Sequence, residues 1–500
     1  MSIAGYDGIG HQPGARDSAL GRVPAWLWFG AGLFLLFVIA GNRSLQDADT
    51  YWQTVIGQWI IDHHAMPAVD IYSFTRKGEP WISSSWLAQV LYAIAYRIAG
   101  WAGPVILAGL GTAAAFALLA RSLTRRFAPI HAVIIAIVAT IVSAHHFIAR
   151  PHLLALPVMV AWVLGLVNAA DERRAPSFWL LPLITLWANL HGGFVLGVAL
   201  VAPFALDALW NADASQRVSF ARRWIVFGLC ALAASCVTPY GWESLLASRR
   251  ILDLGDAMAQ IAEWRPVDFS SLGPFVICLL AALGLTLWRG IVLSPPRILL
   301  VLGLLYMALS HVRSIEIFAL LAPLVLAKPL SVRFGRASGR PVSDSKAGIA
   351  AVLVGAGIAT WIFAAYYTFT PMRVFTPVRA VELLKERKAE RILHNAGFGG
   401  YLITQDIPVF FDGRGELYGS EFLVEVFDAL ALKNVDSFLD LLKGYKIDAT
   451  LLTPSTPAAG LMDRLDGWKR IYADDLSVVH VRTSAAQGGG RIKSTDDARP

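Results

Sequence analysis

The sequence predicts an α-helical polytopic membrane protein of about eleven transmembrane helices with a C-terminal soluble α/β domain. Three observations carry this reading. Of the 500 residues, 56% are hydrophobic and only 16% charged, and mean hydropathy is +0.55, whereas soluble globular chains carry roughly a quarter charged residues. The apolar residues come in long runs separated by short loops that hold much of the Arg and Lys. From Tyr367 onward the runs shorten to strand and helix length, and charges recur every few residues. The net charge of +7 is scattered in clusters between apolar runs. That is how membrane orientation is encoded, so nucleic acid is excluded as a partner. Cys230, Cys236 and Cys278 lie inside apolar runs without metal-ligand spacing and read as small core residues.

Residues 1–23 are polar and form the expected cytoplasmic N-terminus; residues 24–366 form the membrane domain, starting with PAWLWFGAGLFLLFVIAG. That first run is about 27 Å long at 1.5 Å per residue, which matches the bilayer core and marks an uncleaved anchor. A long first outer loop, 42–102, follows. Within it, Thr50 to Asp62 places Trp52, Val55, Ile56, Trp59 and Ile60 on one helical face, as in a helix lying in the membrane interface. Trp81 and Trp86 would be further interfacial anchors. Residues 84–99 hold Gln89 and Arg97 and are short for a span, so they read as a surface helix on the outer side. Further spans are expected at 103–123, 129–147, 152–169, 177–191, 193–210, 223–238, 272–290, 297–311, 314–329 and 347–366. Of these, 177–191 is so short that it must tilt or stop below the outer interface, near Asn189 and His191.

Basic clusters at 121–126, Arg173 and Arg174, Arg217 to Arg223, and Arg333 to Arg340 fall on the side of the N-terminus. The positive-inside rule makes that side cytoplasmic, so 367–484 would be periplasmic in a bacterial inner membrane. In 367–484 the pattern predicts helices at Pro377 to Lys388 and Asp436 to Leu442. Strands are expected at Arg391 to His394, Tyr401 to Thr404, Val409 to Phe411, Ala449 to Thr453 and Ser477 to Val481. Residues 485–500, AAQGGGRIKSTDDARP, read as a disordered tail.

The stretch from Leu45 to Trp86 concentrates ionisable side chains between two long apolar segments. Asp47 and Asp49 follow the first span closely and precede the amphipathic helix, which puts them at the lipid headgroup plane. A carboxylate there can accept the proton of an attacking hydroxyl. It can equally hold a divalent cation, Mg or Mn, against a phosphate, and both roles stay open. Asp70, in PAVDIYSF, is a second acidic group of the same loop.

A first span, an acidic pair, an interfacial helix and a long outer loop, in a chain of about eleven spans ending in a soluble domain, resemble the GT-C superfamily. These membrane glycosyltransferases include the protein O-mannosyltransferases, the lipid A aminoarabinose transferase and the catalytic subunits of oligosaccharyltransferases. The loop segments DADTYWQ, GQWI, PAVDIYSF and GEPW, with WLAQVLY after them, also look like bacterial GT-C members. The resemblance covers the topology and this loop, and reaches the middle spans only loosely. It implies a polyprenyl-phosphate-linked sugar donor, contact with membrane lipid, and a glycan, lipid or protein acceptor. It also implies a catalytic acid in the first outer loop, matched here by Asp49 or by Asp47 beside it.

Such a donor needs cations near its phosphate. Arg150 in ARPH and Arg313 in SHVRSIE fall at outer ends of spans, where the positive-inside rule would not put them. His152 and His311 stand beside them as further donors; snorkelling to ordinary lipid phosphate would equally explain these arginines. Asn189 and His191, in WANLHGG, suit a cavity wall where a helix breaks. In the outer loop 238–271, Glu263 and Arg265 flank Trp264, an arrangement able to stack on and hydrogen-bond a sugar. In NAGFGGYLITQDIPVFFDGRGELYG, Tyr401, Asp412 and Arg414 are candidate substrate contacts, although DGR also suits a plain turn. This segment lacks the paired tryptophans of the acceptor motif in oligosaccharyltransferases, so acceptor type is not carried over. The expected function is sugar transfer from the lipid-linked donor on the outer face. The alternatives are a transporter or flippase of a lipid-linked precursor and a non-catalytic assembly protein. No inverted repeat and no charge at mid-bilayer depth favour transport, Asp207 being an exception near the cytoplasmic end.

Overall fold

A computed structural model describes residues 23–334, 345–371 and 375–483. Residues 1–22, the arginines at 336 and 340 and the expected disordered tail 485–500 lie outside the described residues. Every expected span contains a helix, but they fall into two classes. Six are long and apolar enough to cross a bilayer: Ala102–Thr124, Pro129–His146, Pro151–Asp171, Ala214–Ser235, Val312–Val332 and Lys346–Tyr366. Five are shorter: Ala25–Ile39, Phe178–Leu190, Phe194–Trp210, Pro274–Arg289 and Pro295–Ser310. Among the described residues there are thus six helices of spanning length rather than eleven. Local punctuation explains the short ones. The HGG triplet separates Leu190 from Phe194, and Gly290 closes Pro274–Arg289 in the left-handed conformation, at φ 60°.

Pro151–Asp171 is the central helix, with Trp162, Val163 and Leu166 fully buried. Peripheral helices turn apolar residues outward, among them Ile130, Ile134, Leu229, Leu353 and Trp361, as a protein covered by lipid would. At the Asp171 end of the bundle, Arg297 bridges Asp171, at 2.8 Å, and Asp207, while Arg126 also pairs with Asp171 at 2.8 Å. Asp207 is buried at this helix end because its charge is paired there.

The C-terminal region carries a four-stranded sheet, β1 (Ile392–His394), β2 (Ala449–Leu452), β3 (Trp468–Ala473) and β4 (Val478–Arg482), in the order β1-β2-β4-β3. The β1–β2 pair is parallel and the other two pairs are antiparallel. Helices Val378–Glu386, Ala396–Thr404, Ser420–Leu430 and Val435–Gly444 pack around it. Two expected strands are absent. Tyr401 to Thr404 is the second half of the helix Ala396–Thr404. That helix comes so close to the first long loop that a Cβ on Gly400 would overlap the Ala48 carbonyl. Val409 to Phe411 leaves the sheet and pairs with the first loop: Phe74 N–H donates to the Val409 carbonyl at 3.0 Å, and Val409 N–H donates to that of Tyr72 at 3.0 Å.

The apolar face expected to lie in lipid is buried in protein instead. Trp52, Ile56 and Ile60, on the helix Ala48–His63, share one core with Val381, Leu384, Phe398, Leu402 and Ile403. Trp81 is likewise no interfacial anchor, since it is buried and donates its Nε1–H to Glu416 at 3.0 Å. Trp86 donates to Asn189 Oδ1 at 2.8 Å. A second core joins Leu254, Ala257 and Met258, from the loop 238–271, to Phe410, Phe422 and Leu423. The C-terminal region is thereby knitted to both long loops, at the end of the bundle opposite Asp171.

Candidate active site

Local backbone chemistry brings the acidic pair to one arginine. Asp47 is the extended residue that opens the helix Ala48–His63, and Asp49 lies in its first turn, where the helix dipole favours negative charge. Arg150 is the extended residue that opens Pro151–Asp171, with Pro151 fitting its first position. Two bonds sew these starts together: Thr50 Oγ1 donates to the Ala149 carbonyl at 3.0 Å, and Ala149 N–H donates to that of Ser44 at 2.7 Å. A short 3₁₀ turn, Ala262–Trp264, supplies Glu263 and Trp264. It is held by Val312 N–H on the Arg265 carbonyl at 3.0 Å, which fixes it beside Arg313.

Arg150 is the hub. Its Nε and Nη2 both donate to Asp47, Nη2 at 2.6 Å. Its Nη1 donates to both oxygens of Glu263, at 3.0 and 2.9 Å, and Nη2 is 3.4 Å from Asp49 Oδ2. Asp49 Oδ1 accepts from Trp52 Nε1–H at 2.9 Å. The Asp49 side chain stays 23% exposed while that of Asp47 is 9%, so of this pair Asp49 is the one a substrate can reach. Burial pushes the Asp49 carboxyl up to about 6; Arg150 opposes this and the charge on Asp47 adds to it. For Glu263, burial would raise the carboxyl, but Arg150 and Arg313 outweigh it and hold it below its ordinary value.

Arg313 lies over the ring of Trp264, 4.2 Å from its centre, and His311 meets the same ring edge-on at 5.5 Å. Arg313 feels the charges of Glu263 and Asp49, although no salt bridge to it forms among the described residues. His152 Nε2 is 3.6 Å from Glu316 Oε2, and its ring is 6.3 Å from that of His191. His191 Nδ1 accepts from Gly193 N–H at 3.0 Å, as the broken helix allows. Asn189 is satisfied by Trp86 and by the carbonyls of Thr185 and Val237. It ends an apolar groove of about 510 Å³ lined by Leu87, Leu181, Pro182, Thr185 and Leu186.

Other expected site residues stand elsewhere. Asp70 does not join Asp47 and Asp49. It is fully buried against Arg414 at 2.6 Å, an ion pair poorly aligned for a hydrogen bond, and accepts from Ser73 Oγ at 2.6 Å. Asp412 takes the Arg414 Nε–H at 2.9 Å and the Tyr418 hydroxyl at 3.0 Å. Asp412 and Arg414 are too deeply buried to meet a substrate, and they tie the C-terminal region to the first loop. Gly413 between them does touch the site, because a Cβ there would overlap the Asp49 carboxylate. Tyr401 is half-buried against Tyr51, ring centres 6.4 Å apart. Arg265 is turned away, donating to the Ala259 carbonyl at 3.2 Å.

Three contributors escape the sequence reading. Trp52 looked like an apolar-face residue, and Gly413 part of a turn. Glu316 is buried with Oε1 unpartnered; an acidic residue inside an apolar run was a signal for it.

The possible divalent cation does not fit this donor set. Both oxygens of Asp47 and both of Glu263 are taken by Arg150, and among the described residues no three His, Cys, Asp or Glu side chains are placed to share an ion.

No protein-family model and no curated protein matches the chain. Among solved structures, the fold is similar to the archaeal oligosaccharyltransferase AglB from Archaeoglobus fulgidus, solved in complex with an inhibitory peptide and a dolichol-phosphate. The likeness has a TM-score of 0.53 at 12% identity and covers 86% of this chain and 69% of that one. It concerns the fold alone, a helical membrane bundle followed by a smaller C-terminal region.

Proposed function

We propose that this chain is a membrane glycosyltransferase that moves a sugar from a polyprenyl-phosphate-linked donor to an acceptor on the outer face of a bacterial inner membrane. The observation that carries it is a reachable carboxylate, Asp49, within electrostatic reach of Arg313, a guanidinium that forms no salt bridge among the described residues, at the loop end of a GT-C-like bundle. In this reading the donor phosphate binds Arg313, with His311 near, and the isoprenoid chain lies in the apolar groove that ends at Asn189. The acceptor oxygen bonds to the anomeric carbon as the bond from that carbon to the phosphate oxygen breaks. Asp49 takes the acceptor proton, and the phosphate leaves with its charge on Arg313. His152, His191 and Glu316 line the same neighbourhood, while Asp47 and Glu263 hold Arg150. Asp70, Asp412 and Arg414 act by seating the C-terminal region.

Purified protein given a polyprenyl-phosphate sugar and a membrane extract as acceptor tests this. Asp49→Asn is expected to lower transfer by about 10²–10⁴-fold. Arg313→Ala should weaken donor use by roughly 10–100-fold, the worth of a charge-assisted hydrogen bond. Full transfer by Asp49→Asn, at normal expression, would remove the reading.

A further inference from the structure

The C-terminal region enters the site through a residue that brings no side chain. Gly413 is exposed between two buried neighbours, Asp412 and Arg414. Its backbone is not in the left-handed region, so the turn itself does not call for glycine, and a residue with a side chain could trace the same path. What excludes a side chain is space. A Cβ on Gly413 would overlap Asp49 Oδ1, and would stand 3.0 Å from Asp49 Cγ and 3.1 Å from Trp52 Nε1. Oδ1 is the oxygen that accepts from Trp52 at 2.9 Å, while Oδ2 faces Arg150 Nη2 at 3.4 Å. The carboxylate is thus bounded by Trp52 and Gly413 at one oxygen and by Arg150 at the other. The wall at Gly413 is anchored on both sides. Asp412 Oδ1 accepts from Arg414 N–H at 2.9 Å, which closes the turn, and the Arg414 guanidinium is held at 2.6 Å from both Asp70 and Asp412.

We infer that Gly413 is a positioning residue for Asp49: its bare backbone walls Oδ1 against Trp52 and so fixes the direction in which the carboxylate meets the acceptor, a role that rests on the transferase reading. A second glycine at the same helix start makes the contrast. A Cβ on Gly400 would overlap the Ala48 carbonyl, an obstacle of backbone that no side-chain rotation removes. At Gly413 the obstacle is the end of a side chain, which moves aside when Asp49 changes rotamer. The two glycines therefore differ in kind. A methyl group at Gly400 costs stability, whereas one at Gly413 costs the position of the base.

Full-length protein labelled with fluorotryptophan and purified in detergent reads the contact by fluorine NMR without any substrate, the Trp52 signal being identified with Trp52→Phe. Gly413→Ala is expected to unfold near the native midpoint and to shift the Trp52 signal, because Asp49 turns away from the indole. In transfer its kcat should fall about 100-fold, the penalty of a catalytic group displaced by about 1 Å, with KM for the lipid-linked donor unchanged. Gly400→Ala is expected to lower the unfolding midpoint instead. The inference is overturned if the Trp52 signal of folded Gly413→Ala stays in place, or if that signal moves and kcat does not fall. Should Gly413→Ala fail to fold, adding Asp49→Ala removes the overlapping carboxylate and is expected to restore folding; an unrestored double variant overturns the inference as well. A shifted Trp52 signal alongside native protein that transfers no sugar would count against the transferase reading and leave the grip of Gly413 on Asp49 standing.

Discussion

At the scale of the residue, Asp49 differs from its neighbour by one contact and by its exposure. Asp47 is consumed by Arg150, whereas Asp49 keeps one oxygen loosely held and open. Its carboxyl ionises near 6, mainly because burial disfavours the charge. A base must be ionised to accept a proton, so the sign is fixed: transfer should rise about tenfold per pH unit below 6 and level off above it. A profile of transfer rate from pH 4.5 to 8 checks this, and a rate that falls as pH rises through 6 would contradict it. The residue pair that first suggested chemistry, Asp-Ala-Asp, was legible in the sequence. The division of labour inside it was not, because that is set by Arg150 and Trp52, one of them 103 positions from Asp47.

At the scale of the element, the helix Ala48–His63 was legible from its apolar spacing, but its partner was not. Periodicity reports that one face is buried and is silent on whether lipid or protein buries it. Ile56 is 1% exposed, in a core shared with Phe398 and Leu402. Ile56→Ala should thus cost about 2–5 kcal/mol, read as a lower midpoint for thermal unfolding in detergent; a residue facing lipid would give a much smaller loss. The failed strands have similar causes. FGGYLI alternates well enough for a strand, yet its glycines admit close helix packing against the first loop. Val409 has strand geometry and finds its partners in that loop rather than in the sheet. Strand β3 was missed because none of its residues is buried and they show no alternation. The short helices were legible as apolar runs, and their shortfall in length follows from Gly, His and Pro at their ends.

At the scale of the whole molecule, a helical bundle presents one end, and the C-terminal region closes over it by way of both long loops. The clasp is Arg414 between Asp70 and Asp412, all fully buried. Burial alone would raise the Asp412 carboxyl; Arg414 overrides this and keeps it low. Arg414→Ala leaves two buried carboxylates unpaired, at a cost of about 3–5 kcal/mol. Limited proteolysis should then release the C-terminal region faster than in native protein, and an unchanged digestion rate would show that the clasp does not hold it. Composition was enough to read the membrane class and the change of pattern at the sheet-bearing C-terminal region, since both depend on bulk hydropathy; the clasp was not readable, because DGR alone suits a turn. The central claim is that Asp49 drives transfer from a lipid-linked sugar. It is tested most directly by mass spectrometry of lipid and glycan extracts from cells carrying native protein, no protein, or Asp49→Asn. The account predicts that, in the last two alike, a polyprenyl-phosphate sugar accumulates and one glycoconjugate loses a residue. Native lipid and glycan profiles in the Asp49→Asn cells would contradict it.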